Sequence, residues 1–228
     1  MDLIEHILTQ SYPRQNGFPS TKQVAYPVSI YTSAFSLTDS KSCGASQTSI
    51  RPKCNACNKI VLNIDTAQPV KALRFDEYAT QFDGTSAAIK GNRCDYLLYD
   101  DFQNPSRLVL CELTCSEAQY VEPNEGNYSE GKRARAYKQI KDSIENLLNI
   151  FILDVRILTT TSKIGLFGWR EEKDVSDADK AIKSMLDFAV TPSEQEPILY
   201  TDDFILGHNF IFVQIKYPCH FDWNKQYR

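Results

Sequence analysis

Two acidic side chains on neighbouring apolar segments are the residues of this sequence best placed to do chemistry. Asp95 stands in Arg93-Cys94-Asp95-Tyr96-Leu97-Leu98-Tyr99, and Glu112 in Leu108-Val109-Leu110-Cys111-Glu112-Leu113-Thr114. Between them, Asp100-Asp101-Phe102-Gln103-Asn104-Pro105-Ser106 carries turn chemistry, so the two segments are predicted to pair as a hairpin. A turn centred near Gln103 sets Glu112 opposite Asp95. Side chains alternate along a strand, so Glu112 and Thr114 share a face and Leu113 takes the other. Two carboxylates held side by side supply what a hard divalent cation such as Mg²⁺ needs, with water and a substrate phosphate completing its shell. The plain structural alternative for Asp95 is a turn or edge residue. It is weaker for Glu112, because a carboxylate among core-forming neighbours is costly to bury without a partner.

A helix is predicted to open at Ser129, with Tyr137, Ile140, Ile144, Leu147, Leu148 and Phe151 as its apolar stripe. Its first turns hold Lys132, Arg133, Arg135 and Lys138, four of the 25 basic residues, and Lys141 follows. Cations at a helix N-terminus oppose the macrodipole, which favours a phosphate-holding role over a purely structural one. A solvated face or an acidic protein partner accounts for the same cluster.

An Asp on one strand, an acidic triplet on the next and then a helix is the arrangement in which this sequence resembles the PD-(D/E)xK nuclease superfamily, the restriction-endonuclease-like fold. Asp95 matches the family's Asp, Glu112-Leu113-Thr114 its acidic-x-Lys triplet, and Ala136-Tyr137-Lys138-Gln139-Ile140 its Ala-x-x-Gln-hydrophobic helix pattern. The match covers about residues 90 to 162, with a short and degenerate motif. The resemblance implies a catalytic set of Asp95, Glu112, Thr114 and Gln139, with Asp95 and Glu112 as Mg²⁺ ligands. The departure is Thr114, which carries no charge where the family has a Lys to support the attacking water. Lys132, Lys138 or Arg133 can stand in for it from the helix. Otherwise the site is dead and the fold serves assembly. The first expectation is therefore a catalytically degenerate subunit, an assembly or regulatory module with a protein partner in a prokaryotic antiviral-defence or nucleic-acid-processing complex. The alternative is an active Mg²⁺-dependent nuclease with a nucleic-acid surface of Lys132, Arg133, Arg135 and Lys138.

The cysteines offer a third reading from another class. Cys54-Asn55-Ala56-Cys57 follows Cys43 in a polar stretch, giving three ligands for a zinc-stabilised binding module. No second C-x-x-C exists, so the fourth ligand must come from Cys94, Cys219, His220 or His6. Unpaired loop cysteines are the favoured reading, and Zn²⁺ is not the expected cofactor. Cys94, Cys111 and Cys115 read as small core residues.

The elements that must position these groups form an α/β fold: a mixed β-sheet with flanking helices, and a restriction-endonuclease-like core with extra strands. One domain over 228 residues is expected. Strands are predicted at Val24–Phe35, Lys59–Ile64, Val70–Phe75, Asp154–Thr160, Ile198–Leu206 and Asn209–Tyr217, and helices at Asp2–Thr9 and from Ser176 through Ala189. Pro27 confines the first strand to an edge or splits it. Ser11–Lys22 reads as a loop. Gly165-Leu166-Phe167-Gly168-Trp169-Arg170 reads as a turn or an exposed docking patch.

Composition sets the limits. Apolar residues make up 42% and charged residues 24%, with a net charge of −4, which argues against wholesale disorder and gives no global field for nucleic acid. No apolar run approaches the roughly 18 residues of a membrane span. The start, Met1-Asp2-Leu3-Ile4-Glu5-His6, has no basic region followed by an apolar core, so a cytoplasmic protein is expected. Seven cysteines, an odd count, do not suggest a disulfide framework. No P-loop, G-x-G-x-x-G or G-x-S-x-G is present.

Overall fold

A computed structural model describes residues 2–38, 60–100, 105–116, 131–151, 162–171, 198–200 and 209–227. The chain opens with helix α1 (Leu3–His6), a π-helical turn (Ile7–Ser11) and helix α2 (Tyr12–Gln15). The segment read as a loop from Ser11 thus stays helical to Gln15, with Pro13 in the first turn of α2, where a missing N–H costs nothing. Strands β1 (Val28–Tyr31), β2 (Phe35–Leu37), β3 (Leu62–Asp65) and β4 (Val70–Arg74) follow, then helix α3 (Phe75–Thr80). Strands β5 (Tyr96–Asp100) and β6 (Arg107–Ser116) precede the long helix α4 (Gly131–Ile150). Strands β7 (Ser162–Glu171), β8 (Ile198–Tyr200), β9 (Phe210–Lys216) and β10 (His220–Asp222) complete the elements.

The fold is α/β with a mixed sheet. Seven strands lie in the order β1-β4-β5-β6-β7-β9-β8, and β10-β3-β2 form a second sheet of three. Strands β6, β7 and β9 run parallel; β1, β4, β5 and β6 pair antiparallel in turn. The expected Val24–Phe35 strand divides into β1 and β2, and β1 is a sheet edge, the position Pro27 predicts. Pro27 contributes only its carbonyl, which accepts from the Arg74 N–H at 3.1 Å. The expected Val70–Phe75 strand stops at Arg74, where Phe75 turns into α3.

Alternation along the central strands builds two cores. Leu97, Tyr99, Leu108, Leu110, Phe167 and Phe212 face α4 and the N-terminal helices. Tyr96, Leu98, Val109, Cys111, Leu166 and Val213 face the small sheet, with Phe221, Trp223 and Tyr227 closing that layer. Helix α4 seats Ile140, Ile144 and Leu147 of the expected stripe on the sheet together with Ala136, while Tyr137 and Leu148 are only partly buried.

The largest correction concerns Gly165–Arg170. These residues lie inside β7, a central parallel strand, and Phe167 and Trp169 are buried. Their glycines are small for a reason of packing. A Cβ on Gly165 would lie 2.7 Å from Ile140 of α4, and one on Gly168 would lie 2.8 Å from Leu113 and 3.2 Å from Leu62. The strand therefore has helix on one face and the small sheet on the other, which hides the alternation expected of a half-buried strand. The expected Asp154–Thr160 strand and Ser176–Ala189 helix lie outside the described residues, as do Cys43, Cys54 and Cys57.

Candidate functional site

The hairpin register decides where the carboxylates stand. Tyr96 pairs with Cys111, and Asp95, in the bend just before β5 rather than inside the strand expected from Arg93, stands beside Glu112. Asp95 is 1% exposed and Glu112 9% exposed, both on the α4 side of the sheet. Each is fixed by backbone of the other's strand. The Leu113 N–H donates to Asp95 Oδ2 at 2.9 Å, and the Asp95 N–H donates to Glu112 Oε2 at 3.2 Å. The Asp95 carbonyl in turn accepts from Phe75 N–H at 2.9 Å. Thr114 lies two residues beyond Glu112 on the same face and is buried.

Helix α4 clamps the segment leading into Asp95. Gln139 Nε2 donates to the Arg93 carbonyl at 3.1 Å, and the Ser143 hydroxyl accepts from Cys94 N–H at 2.9 Å. Asp142 Oδ2 accepts from both the backbone N–H of Asn92 and its side chain, at 2.9 and 2.7 Å. Asn146 Nδ2 reaches the Lys90 carbonyl at 2.8 Å. Gln139 thus holds the backbone two residues before Asp95. The helix face that carries it is set by α4 packing, not by the sheet motif alone.

The predicted basic residues separate into two groups. Arg135 and Lys138 are exposed on α4. Lys132 and Arg133 are half-buried in its first turn. The carboxylates also mark their neighbours electrostatically. The Cys94 thiol is pushed well up by burial, against a hydrogen bond from Ser143 that lowers it, with further upward pressure from Glu112 and Asp95. The Cys111 thiol is pushed up by burial and then by Asp95. Burial thus disfavours the thiolate form of both.

Three residues at the site were not legible in the sequence. The parallel ladders align Glu112 with Phe167 and Gln214, and Thr114 with Trp169 and Lys216. Trp169, Gln214 and Lys216 therefore share the α4 face at the carboxyl ends of the strands, where open α/β sheets bind ligands. Lys216 Nζ lies 4.8 Å from the centre of the Trp169 ring on the neighbouring strand β7. The Trp169 indole N–H and Gln214 Oε1 are buried with no hydrogen-bond partner. No local signal marks these positions, because parallel strands are joined only through long crossovers.

The donors at the site, Asp95, Glu112 and Thr114, are all oxygen and fit a hard cation rather than zinc. Among the described residues no group of three or more His, Cys, Asp or Glu side chains gathers as a metal site. The fourth zinc ligands considered above are dispersed. Cys94 is in the α4-side core, Cys219 packs against the other core, His220 contacts Asp65 at 2.9 Å, and His6 ends α1. No helix among the described residues is long and apolar enough to cross a membrane. Compared with family models, with curated proteins and with solved structures, the chain matches none.

Proposed function

We propose that this chain is a restriction-endonuclease-like subunit that holds a divalent cation on Asp95 and Glu112 and engages a nucleic-acid backbone with a catalytically degenerate site. Its setting in this reading is a prokaryotic antiviral-defence or nucleic-acid-processing complex, with a protein partner. The observation that carries the reading is the buried cross-strand pair of Asp95 and Glu112, each oriented by a backbone N–H. Such preorganisation lets two like charges stand together where a cation can balance them. When bound, a divalent cation draws charge from a phosphodiester and acidifies a bound water. The chain's own side chains hold and orient: Asp95 and Glu112 ligate, Gln139 and Ser143 fix the Asp95 segment, and Lys132 and Arg133 meet phosphate. Thr114 brings no charge to the place where the motif has Lys, and this argues for binding without efficient cleavage.

The second reading, an active Mg²⁺-dependent nuclease, is favoured by one observation. Lys216 reaches the site face from β9 and can offset phosphate charge in the place of the motif Lys.

Calorimetric titration of Mg²⁺ and Mn²⁺ into the protein and into Glu112→Gln, with a cleavage assay beside it, tests both. Cation binding lost in the variant, with no cleavage above background, is the expected result. Cleavage abolished by Glu112→Gln hands the site to the active enzyme. Absence of cation binding by the unaltered protein overturns both readings.

A further inference from the structure

A second polar site lies at the opposite end of the sheet and is independent of the reading above. A cavity of about 410 Å³ opens where β6 and β7 begin, lined by Gln68, Ser106, Arg107, Ser162, Trp223 and Asn224 among others. Arg107 pairs with Ser162 in the ladder, and both lie on the face covered by the small sheet. Glu112 is five residues further along β6, roughly 17 Å away at about 3.3 Å per residue.

Arg107 is only 8% exposed. Its guanidinium donates to the carbonyls of Trp223 and, at 3.0 Å, Lys225, two uncharged acceptors. The ion pairs of the described residues do not include it. The nearest acidic group in sequence, Asp100, is already engaged by Ser106 and by the Arg107 backbone N–H, at 3.1 and 3.0 Å. Burial works against the guanidinium's charge, while Tyr227, Asp100 and Asp222 favour it. Trp223, which also lines the cavity, is a second buried residue. Trp223, 1% exposed, carries an indole N–H with no hydrogen-bond partner, although its backbone N–H reaches Asp65 at 2.8 Å. Two of the five guanidinium N–H donors are taken by these carbonyls, and the side chains of Ser106, Ser162, Gln68 and Asn224 line the same cavity, a donor set whose chemistry suits an oxyanion.

We infer that the cavity between Arg107, Ser162 and Trp223 binds a small oxyanion-bearing ligand, a phosphate or a carboxylate. Its guanidinium supplies the charge, and the C-terminal residues Trp223 and Asn224 form one wall. The chain has two tryptophans, so Trp169→Phe leaves Trp223 as the only indole reporter in the cavity. Inorganic phosphate and acetate are titrated separately into that variant at constant ionic strength, with chloride as the third arm. A saturable change in Trp223 emission with phosphate alone assigns a phosphate ligand, and one with acetate assigns a carboxylate. Arg107→Lys keeps the charge but loses the fork, and it is expected to weaken binding about tenfold. Ser162→Ala leaves the carbonyl bonds of Arg107 intact, is expected to weaken binding severalfold, and carries the test if Arg107→Lys lowers the melting temperature. No saturable change with either anion, the same change with chloride, or unaltered affinity in Ser162→Ala overturns the inference.

Discussion

At the scale of single residues, burial decides what each titratable group can do. Asp95 and Glu112 are costly to bury beside one another, and backbone N–H groups are among the partners that offset that cost. Lys216→Ala is expected to weaken binding of single-stranded DNA while leaving cation affinity unchanged, since a phosphate contact and a cation ligand are separate roles. Equal loss of both in paired titrations would place Lys216 in the fold instead. The same burial makes a pH prediction. Free thiols ionise near 9.0 and phenols near 10.0, but burial holds Cys94, Cys111, Tyr78, Tyr96 and Tyr99 in their protonated forms well above those values. Above pH 9 the unfolded chain releases these protons before the folded chain does. Stability is therefore full below about pH 9 and falls as pH rises beyond it, seen as a lower urea midpoint at about pH 10 than at about pH 7. Alkylation mapped by mass spectrometry is likewise expected to spare Cys94 and Cys111 in the native protein.

At the scale of elements, the contact between α4 and the sheet controls both stability and the site. Gly165 admits Ile140 so closely that Gly165→Ala must displace the helix, at a cost of about 1–3 kcal/mol. Ile140→Leu in the same chain, which removes the Cγ2 methyl that the new Cβ would meet at 2.7 Å, is expected to recover part of that loss, a coupling that a double-mutant cycle measures directly. The clamp on residues 90–94 works through the same helix. Gln139→Ala removes the bond to the Arg93 carbonyl and is expected to weaken cation binding about tenfold, the usual effect of removing a group that orients a ligand. An unchanged titration would show that Asp95 is held by its strand alone. Much of this element was legible: the stripe Ile140, Ile144 and Leu147 is periodic, and it packs as that period requires. Its partner was not, because Gly165 and Gly168 look like turn residues until both faces of β7 are seen to be covered.

At the scale of the whole molecule, two cores share one sheet, and the chain end completes the second. Phe221 and Trp223 are fully buried on the face opposite α4, joined by β10 to the small sheet through β3. Burial of each large side chain contributes about 1.5–3 kcal/mol, against a total stability of about 5–15 kcal/mol for a typical domain. A chain ending at Cys219 is therefore expected to lose its cooperative thermal transition by circular dichroism. A sharp transition within a few degrees of the full-length protein would show that the α4-side core stands alone.

The amino-acid sequence determined the local part of this protein. The β5–β6 hairpin, its register and the pairing of Asp95 with Glu112 follow from alternation and from a turn of a few residues, and α4 follows from its apolar period. Only the tertiary structure decided what is brought in from far along the chain. Parallel pairing of β6, β7 and β9 places Trp169, Gln214 and Lys216 beside Thr114, and the return of β10 to β3 sets Trp223 against Arg107. Nothing local encodes those meetings. They depend on which buried surfaces cover one another once the helix and the small sheet have closed on the two faces of the central strands.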